Sequence, residues 1–142
     1  MNDCKSLSHT RWECKYHIVF IPKNRRKVLY QQLNKELREI FVELARQKES
    51  KIEKGSIQPD HVHMLISIPP KYSVAQVVGY IKGKSAIYIA RHYGKKQRNF
   101  VGEHFWSRGY YVSTVGKDEK KIKEYVRRQQ AEDQRLDQLR LG

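Results

Sequence analysis

Hydrophobic and polar residues alternate near the start of the chain, over residues 11–21. Apolar side chains occupy every second position, which is the two-residue period of a strand with one buried face. The apolar set is Trp12, Cys14, Tyr16, Ile18 and Phe20, and the polar set is Arg11, Glu13, Lys15 and His17. We therefore predict a first strand over residues 11–21 whose polar set lies opposite the core.

The rest of the chain alternates between helical and strand patterns. Apolar residues three and four apart predict helices, and runs with β-branched residues bounded by proline or glycine predict strands. Ser73 is a plausible N-cap of the second helix, and Gly94 lies near its end. The predicted elements are helices over 30–48, 73–94 and about 117–140, and strands over 51–58, 61–68 and 110–115.

This order of elements predicts an α+β fold. Strand, helix, strand, strand, helix, strand is the βαββαβ order of a ferredoxin-like antiparallel sheet with two helices on one face, and the last helix is an addition. In such a sheet the first and third strands are central. RNA-recognition sheets share the topology, but their Lys-Gly-Phe-Gly-Phe pattern is absent here. We expect a single domain over residues 1–142.

The charge of the chain points to a polyanionic partner. Lysine and arginine number 29 against 15 aspartate and glutamate, a formal net charge of +14. Nucleic acid is the leading candidate, although ribosomal and membrane-surface proteins share such a charge. No apolar stretch reaches the roughly 20 residues that span a bilayer, and residues 1–5 lack the apolar core of a signal peptide. We expect a cytoplasmic protein.

Basic residues are concentrated in three segments that could bind phosphates. Runs of this kind are often only solvated surface, so each assignment is a hypothesis. The candidate DNA-binding residues are Lys23, Arg25, Arg26 and Lys27, then Lys82 and Lys84, then Lys95, Lys96 and Arg98.

Two histidines stand two residues apart in the third predicted strand, at His61 and His63. Alternate strand residues point to one face, so both imidazoles lie opposite Val62 and Met64. Two neutral imidazoles on one rigid face can share a divalent ion. Strand histidines can equally face solvent without a metal, so the motif alone leaves both interpretations open.

A tyrosine and a glutamine lie four residues apart near the C-terminus, at Tyr125 and Gln129. Ile122 and Val126 mark one side of an amphipathic helix there, on which residues four apart lie one above the other. The helix would therefore present a phenol and a carboxamide from one surface. Without further evidence, this pair is also compatible with an ordinary exposed helix face.

The histidine pair and the tyrosine-glutamine pair together resemble the single-tyrosine HUH transposases of the insertion sequence 200/605 type. The resemblance covers essentially the whole chain, including residues 12–27, 59–60 and 105–110. It implies that His61 and His63 form the metal-binding HUH motif. It also implies that Tyr125 is the nucleophile and Gln129 the third metal ligand.

The resemblance further implies a reaction, a substrate and an assembly. DNA strands would be cleaved and rejoined without ATP through a 5′-phosphotyrosine, with Mg²⁺ or Mn²⁺ as the ion, although two histidines suit zinc equally well. The expected substrate is single-stranded DNA with a hairpin near each transposon end. The expected working unit is a homodimer in which the histidines of one subunit meet the tyrosine helix of the other.

Two other function classes remain open at this point. A catalytically inactive or domesticated relative would hold hairpin DNA or RNA and regulate without cutting, although the intact candidate site favours the transposase. Replication-initiation and relaxase nucleases share the HUH site. They usually carry additional domains, for which we expect no room in 142 residues.

Overall fold

The computed structural model describes residues 5–7, 10–94, 105–114, 116 and 118–141. Three helices and six strands account for most of these residues. The helices are α1 (Gln31–Gln47), α2 (Val74–Tyr93) and α3 (Glu119–Leu141). The strands are β1 (Lys5–Leu7), β2 (Thr10–Trp12), β3 (Lys15–Phe20), β4 (Lys51–Gln58), β5 (His61–Ser67) and β6 (Tyr111–Ser113).

A four-stranded sheet in the order β4-β5-β3-β6 forms the centre of the molecule. Every neighbouring pair is antiparallel. The two central strands, β3 and β5, are the first and third strands of the βαββαβ motif. The predicted ferredoxin-like α+β fold is therefore confirmed, and β5 is supported on both edges.

The main core lies between the sheet and the helices α1 and α2. Ile18, Phe20 and Ile66 are fully buried there, and the Phe20 ring meets the Trp106 ring edge-on at 4.8 Å between centroids. The predicted N-cap of α2 is confirmed, because the Ser73 hydroxyl accepts a hydrogen bond from the Gln76 backbone N–H at 3.0 Å. This capping box fixes where α2 begins.

The predicted first strand is wrong in its first part. The main sheet begins only at Lys15, and β2 instead pairs with β1, where Trp12 lies opposite Lys5. Alternation alone could not reveal this break between β2 and β3, because the two-residue period continues from one strand into the other. The strand also departs from the pattern at its end, since Val19 and Ile21 on the polar face are fully buried.

Helix α3 covers Val19 and Ile21 on the opposite side of the sheet from α1 and α2. Ile122 and Val126 of α3 pack on these two residues to form a second, smaller core. Val19 lies directly across from His63 of β5, so α3 and the two histidines share one sheet face. None of the helices in the described residues is long and apolar enough to span a membrane.

An irregularity in β4 changes which of its residues reach the histidine face. The register shifts between Ile52 and Lys54, so that Ile52 and Ile57 both pair with core residues of β5 although they are five apart. The extra residue at this bulge places Lys54 opposite Leu65 and Ser56 opposite His63. The bulge thereby adds a lysine to the histidine face.

Candidate active site

The predicted alternation around the histidines is confirmed. Val62 and Met64 are buried in the main core, whereas His61 and His63 are half-buried on the opposite face. Strand β5 is hydrogen-bonded to β3 on one edge and to β4 on the other. Both imidazoles therefore project from rigid backbone, as a metal or catalytic site requires.

His61 is oriented by the aspartate before it. Its Nδ1 lies 2.8 Å from Asp60 Oδ1, and the Arg25 Nε donates to the other Asp60 oxygen at 2.8 Å. Burial opposes ionisation of Asp60, but the hydrogen bonds from His61 and Arg25 outweigh it, so the pKa of this carboxyl is lowered. Because a carboxylate only accepts, Nδ1 of His61 carries a proton; in the neutral imidazole Nε2 then presents a lone pair, the arrangement found in metal-binding histidines.

A third histidine, His17 of β3, joins the site and was not predicted. Its Nδ1 lies 3.3 Å from Nε2 of His63, and the two ring centroids are 5.5 Å apart. The sequence feature that could have indicated His17 is its place on the polar side of the predicted first strand. Only the pairing of β3 with β5 brings the two imidazoles together.

An open groove of about 360 Å³ runs over His17 and His63. Lys54 and Ser56 of β4 also line it. An ion or a phosphate could therefore approach the imidazoles from solvent, with a cationic side chain at the rim.

Tyr125 packs on the small core beneath α3. Its ring lies 6.0 Å from the ring of Tyr111 in β6, and its hydroxyl oxygen is buried without a hydrogen-bond partner in the described residues. Burial, and secondarily the charge of Asp133, raises the pKa of the phenol well above its usual value. In this packing Tyr125 is protonated and shielded from solvent.

The structure brings His61 and His63 to one face and places Tyr125 and Gln129 on the helix above that face. Gln129 donates to Asp133 of its own helix at 3.4 Å, and the ring contact of Tyr125 is with Tyr111. Val19 pairs with His63 on one side and with Tyr111 on the other, so these two backbones are roughly 10 Å apart. Within the described part of one chain, the tyrosine and the glutamine hydrogen-bond to neither histidine of the HUH pair.

Asp133 anchors α3 to the body of the domain, a role that the sequence pattern did not reveal. This aspartate is 3% exposed and accepts from the Asn24 backbone N–H and the Ser107 hydroxyl, both at 2.9 Å. Asp137, one turn further, accepts from the Asn24 side chain at 2.8 Å. Asn24 has a left-handed φ of 62°, a conformation that asparagine tolerates better than most residues.

The donor set suits a divalent ion that further ligands complete. No group of three or more histidine, cysteine, aspartate or glutamate side chains converges within the described ranges. The imidazoles of His61 and His63, on one face of β5, are nonetheless suitable neutral ligands. The carboxamide of Gln129 would supply an oxygen if α3 moved towards them.

The basic residues differ in what they contact. Lys23 forms an ion pair with Asp137 at 3.0 Å, and Arg25 is bound to Asp60. Desolvation lowers the pKa of half-buried Arg26, against the pull of Asp137 and Asp133. Lys27 is exposed.

Helix α2 contributes two lysines with different surroundings. Lys82 donates to the carbonyls of Ser107 and Gly109, at 2.8 and 2.6 Å, and burial lowers its pKa to about 8. Lys84 is exposed and lies 5.8 Å from the Tyr80 ring. The predicted phosphate contacts Lys95, Lys96 and Arg98 lie outside the described residues.

Sequence comparison finds relatives over nearly the whole chain. The family model described as "Transposase IS200 like" matches residues 10–129. The transposase for insertion sequence element IS200 of Salmonella typhimurium is 45% identical over 139 residues, which are 98% of this chain and 91% of that protein. The ISDra2 transposase TnpA of Deinococcus radiodurans is 27% identical over 119 residues, which are 83% of this chain and 85% of that protein.

Solved structures share the fold. The crystal structure of a proposed transposase from Deinococcus radiodurans R1 superposes with a TM-score of 0.77 at 26% identity, covering 88% of this chain and 96% of that one. The REP-associated tyrosine transposase, solved bound to a REP hairpin, gives a TM-score of 0.54 at 17% identity, covering 80% of this chain and 62% of that one.

Proposed function

The chain belongs to the family of IS200-like transposases, and from that premise we propose that it cuts and rejoins single strands of DNA through a covalent 5′-phosphotyrosine at Tyr125. The observation that carries the proposal is the shared sheet face. The HUH histidines lie on central strand β5, and the helix that bears Tyr125 and Gln129 covers the neighbouring strand β3.

Tyr125 would serve as nucleophile and later as leaving group. Its phenolic oxygen attacks the phosphorus of a phosphodiester and loses its proton, while the 3′-oxygen of the neighbouring nucleotide leaves and gains one. A 3′-hydroxyl then reverses the reaction by attacking the phosphotyrosine. A phenol, with a reference pKa of about 10, leaves more readily than an alcohol. The phosphotyrosine ester conserves the free energy of the broken phosphodiester bond, so no ATP is needed.

His61, His63 and Gln129 would hold the divalent ion, which we propose to be Mg²⁺ or Mn²⁺. When bound, the ion supplies charge that stabilises the phosphate in the transition state. The hydrogen bond from His61 to Asp60 keeps Nε2 of that imidazole available as a ligand. Because these three ligands would be neutral, they would not offset the positive charge of the ion, which would remain available to stabilise the phosphate.

The proposed substrate is single-stranded DNA with a hairpin near each transposon end, which accords with a cytoplasmic enzyme. Lys27 and Lys84 are the exposed members of the predicted basic set in the described residues and so the best placed to bind phosphates. Lys23, Arg25 and Lys82 contribute charge while contacting groups of the fold. The same fold accommodates a hairpin in the REP-associated tyrosine transposase.

We further propose a homodimer with shared sites, in which α3 of one subunit meets the histidines of the other. The shielded phenol supports this, because Tyr125 must leave its contact with Tyr111 before its oxygen can reach a phosphate. Asp118 caps the start of α3 by accepting from the Lys121 backbone N–H at 3.2 Å. In this proposal the capped helix moves as an intact unit, and exposed Gly116 lies just before it.

The test uses labelled oligonucleotides spanning the ends of the insertion sequence that carries the gene. We expect cleavage with Mg²⁺ or Mn²⁺, none in excess chelator, and recovery when metal is restored. His61→Ala and His63→Ala should be inactive, while the control His92→Ala, an exposed residue of α2, should cleave like the wild type. Cleavage in excess chelator would contradict the metal role. Hairpin binding without cleavage would instead support a regulator that only binds.

A further inference from the structure

The β-bulge in β4 decides which side chain of this strand reaches the histidine face. Up to the bulge β4 pairs in regular register, and Ile52 lies opposite Ile66 of β5. If that register continued, Glu53 would lie opposite Leu65 on the histidine face, but the extra residue places Lys54 there instead. The bulge therefore exchanges a carboxylate for an ammonium group on this face. Bulges are common beside active sites, where they re-aim a side chain.

The displaced carboxylate of Glu53 is bound at one end of β5. It accepts a hydrogen bond from the Ser67 hydroxyl at 2.8 Å, and the Lys51 ammonium lies 4.0 Å from its other oxygen. Ser67 is the last residue of β5, whereas His61 is the first. The carboxylate is therefore held at the far end of the strand from the start of the HUH motif.

The open groove of about 360 Å³ over His17 and His63 has the chemistry that a nucleotide needs. Exposed Lys54 and the hydroxyl of Ser56 line it and suit a phosphate. The two imidazoles, together with Leu65, offer surface for a base or a sugar. Among the described residues that line the groove, none is acidic, so its electrostatic potential favours an anion.

The sheet register relates Lys54 to the HUH motif. Lys54 and His17 flank Leu65 from the two neighbouring strands, so their backbones are about 10 Å apart. His63 is the diagonal neighbour of both residues, at roughly 7–8 Å, and a contact of 3.3 Å between ring nitrogens holds His17 against His63. A phosphate near His63 and a second phosphate at Lys54 would therefore belong to neighbouring nucleotides of one strand.

We propose, resting on the proposed function, that this groove binds the single-stranded DNA beside the cleaved linkage and that Lys54 binds the phosphate adjoining the scissile one. Lys54 lies outside the three basic segments of the sequence. It contacts the substrate away from the reacting atoms, so it places the scissile phosphate at the histidines by fixing the neighbouring nucleotide.

The test measures binding in the absence of cleavage. Full-length Tyr125→Phe protein without added metal serves as the parent, into which Lys54→Met, Lys54→Arg or Lys35→Met is introduced. Lys35→Met is the matched control, because Lys35 is an exposed lysine of α1, on the other side of the sheet. The probes are transposon-end oligonucleotides, either unmodified or with one uncharged methylphosphonate in the single-stranded part, and fluorescence anisotropy measures their affinity.

For unmodified DNA we expect Lys54→Met to lose about tenfold in affinity and about 0.7 in salt slope. Lys54→Arg, which keeps the charge, should stay within about threefold of the parent, and Lys35→Met within about twofold. One methylphosphonate, at the linkage adjoining the cleaved one, should weaken binding to the parent about tenfold. The same probe should bind Lys54→Met no more weakly than unmodified DNA does, because the contact is already lost.

Additive losses at every linkage, or an equal loss of affinity in Lys35→Met, would overturn the inference. Cleavage by wild type without any linkage coupled to Lys54 would remove this subsite and leave the proposed function standing. A single linkage coupled to Lys54, in a protein whose wild type cleaves no transposon end, would support the DNA-binding groove and count against the proposed function.

Discussion

The histidines of the candidate site show, at the scale of single residues, how far that site could be predicted. The two-residue spacing of His61 and His63 was enough to put both on one face, because a strand has a fixed period. His17 is 46 positions from His63 in the chain. Its contact depends on the register between β3 and β5, which no local pattern encodes. The roles of Tyr125 and Gln129 remain predictions.

Lys82 gives a prediction for stability against pH. Desolvation lowers the pKa of Lys82 in the folded protein from its usual value of 10.5 to about 8, against the pull of Asp133. Between these values the unfolded chain holds a proton that the folded chain has released, so the free energy of unfolding should rise with pH across that window. The total effect is on the order of 3 kcal/mol. Urea unfolding from pH 7 to 11 would measure it.

The matched variant for that experiment is Lys82→Met, which keeps much of the side-chain volume without the titrating group. Its stability relative to wild type should fall as the pH rises from about 8 to 10.5. Parallel curves for the two proteins would contradict the buried-lysine account.

Lys84, two residues further along α2, gives a contrasting prediction for DNA binding. It is exposed, so Lys84→Ala should weaken binding to single-stranded DNA and reduce the salt slope by about 0.7 if one phosphate contact is lost. Stability should change by less than about 0.5 kcal/mol. Fluorescence anisotropy at several salt concentrations measures the slope, and a slope equal to that of wild type would remove Lys84 from the DNA surface.

At the scale of elements, the helices and the four strands of the main sheet were predictable, and the irregular features were not. Periodicity located α1, α2 and α3 to within a few residues. The β1-β2 pair and the bulge before Lys54 escaped prediction. Both features depend on which strand lies alongside. The bulge becomes visible only in the structure, where Ile52 and Ile57 pair with core residues of β5 although they are five apart.

The docking of α3 gives a prediction for Asp133. Asp133→Ala would leave the backbone N–H of Asn24 and the buried hydroxyl of Ser107 without their acceptor. Each loss costs about 1–3 kcal/mol, so the helix should detach more often. Hydrogen exchange in α3 should speed up while exchange in β3 and β5 changes less. Glu132→Ala, on the exposed side of the helix, is the control, and equal protection in the two variants would contradict the anchoring role.

The whole molecule carries a net charge of +14, and its proposed working unit contains two copies. That assembly can be tested by mixing two inactive proteins, one with His61→Ala and His63→Ala and the other with Tyr125→Phe. A heterodimer with shared sites contains one intact site, so cleavage should reappear after subunit exchange. If exchange is demonstrated and activity stays absent, each subunit uses its own tyrosine.

The most direct test of the central claim is to identify the residue that becomes attached to DNA. Wild type, Tyr125→Phe and Tyr111→Phe would be incubated with 3′-labelled single-stranded transposon-end DNA and a divalent metal, digested with protease, and analysed by mass spectrometry. We predict a 5′-phosphate linked to Tyr125 in wild type and in Tyr111→Phe, whose ring neighbours Tyr125, and no adduct in Tyr125→Phe. A covalent adduct that persists in Tyr125→Phe, or cleavage by wild type without any adduct, would contradict the account.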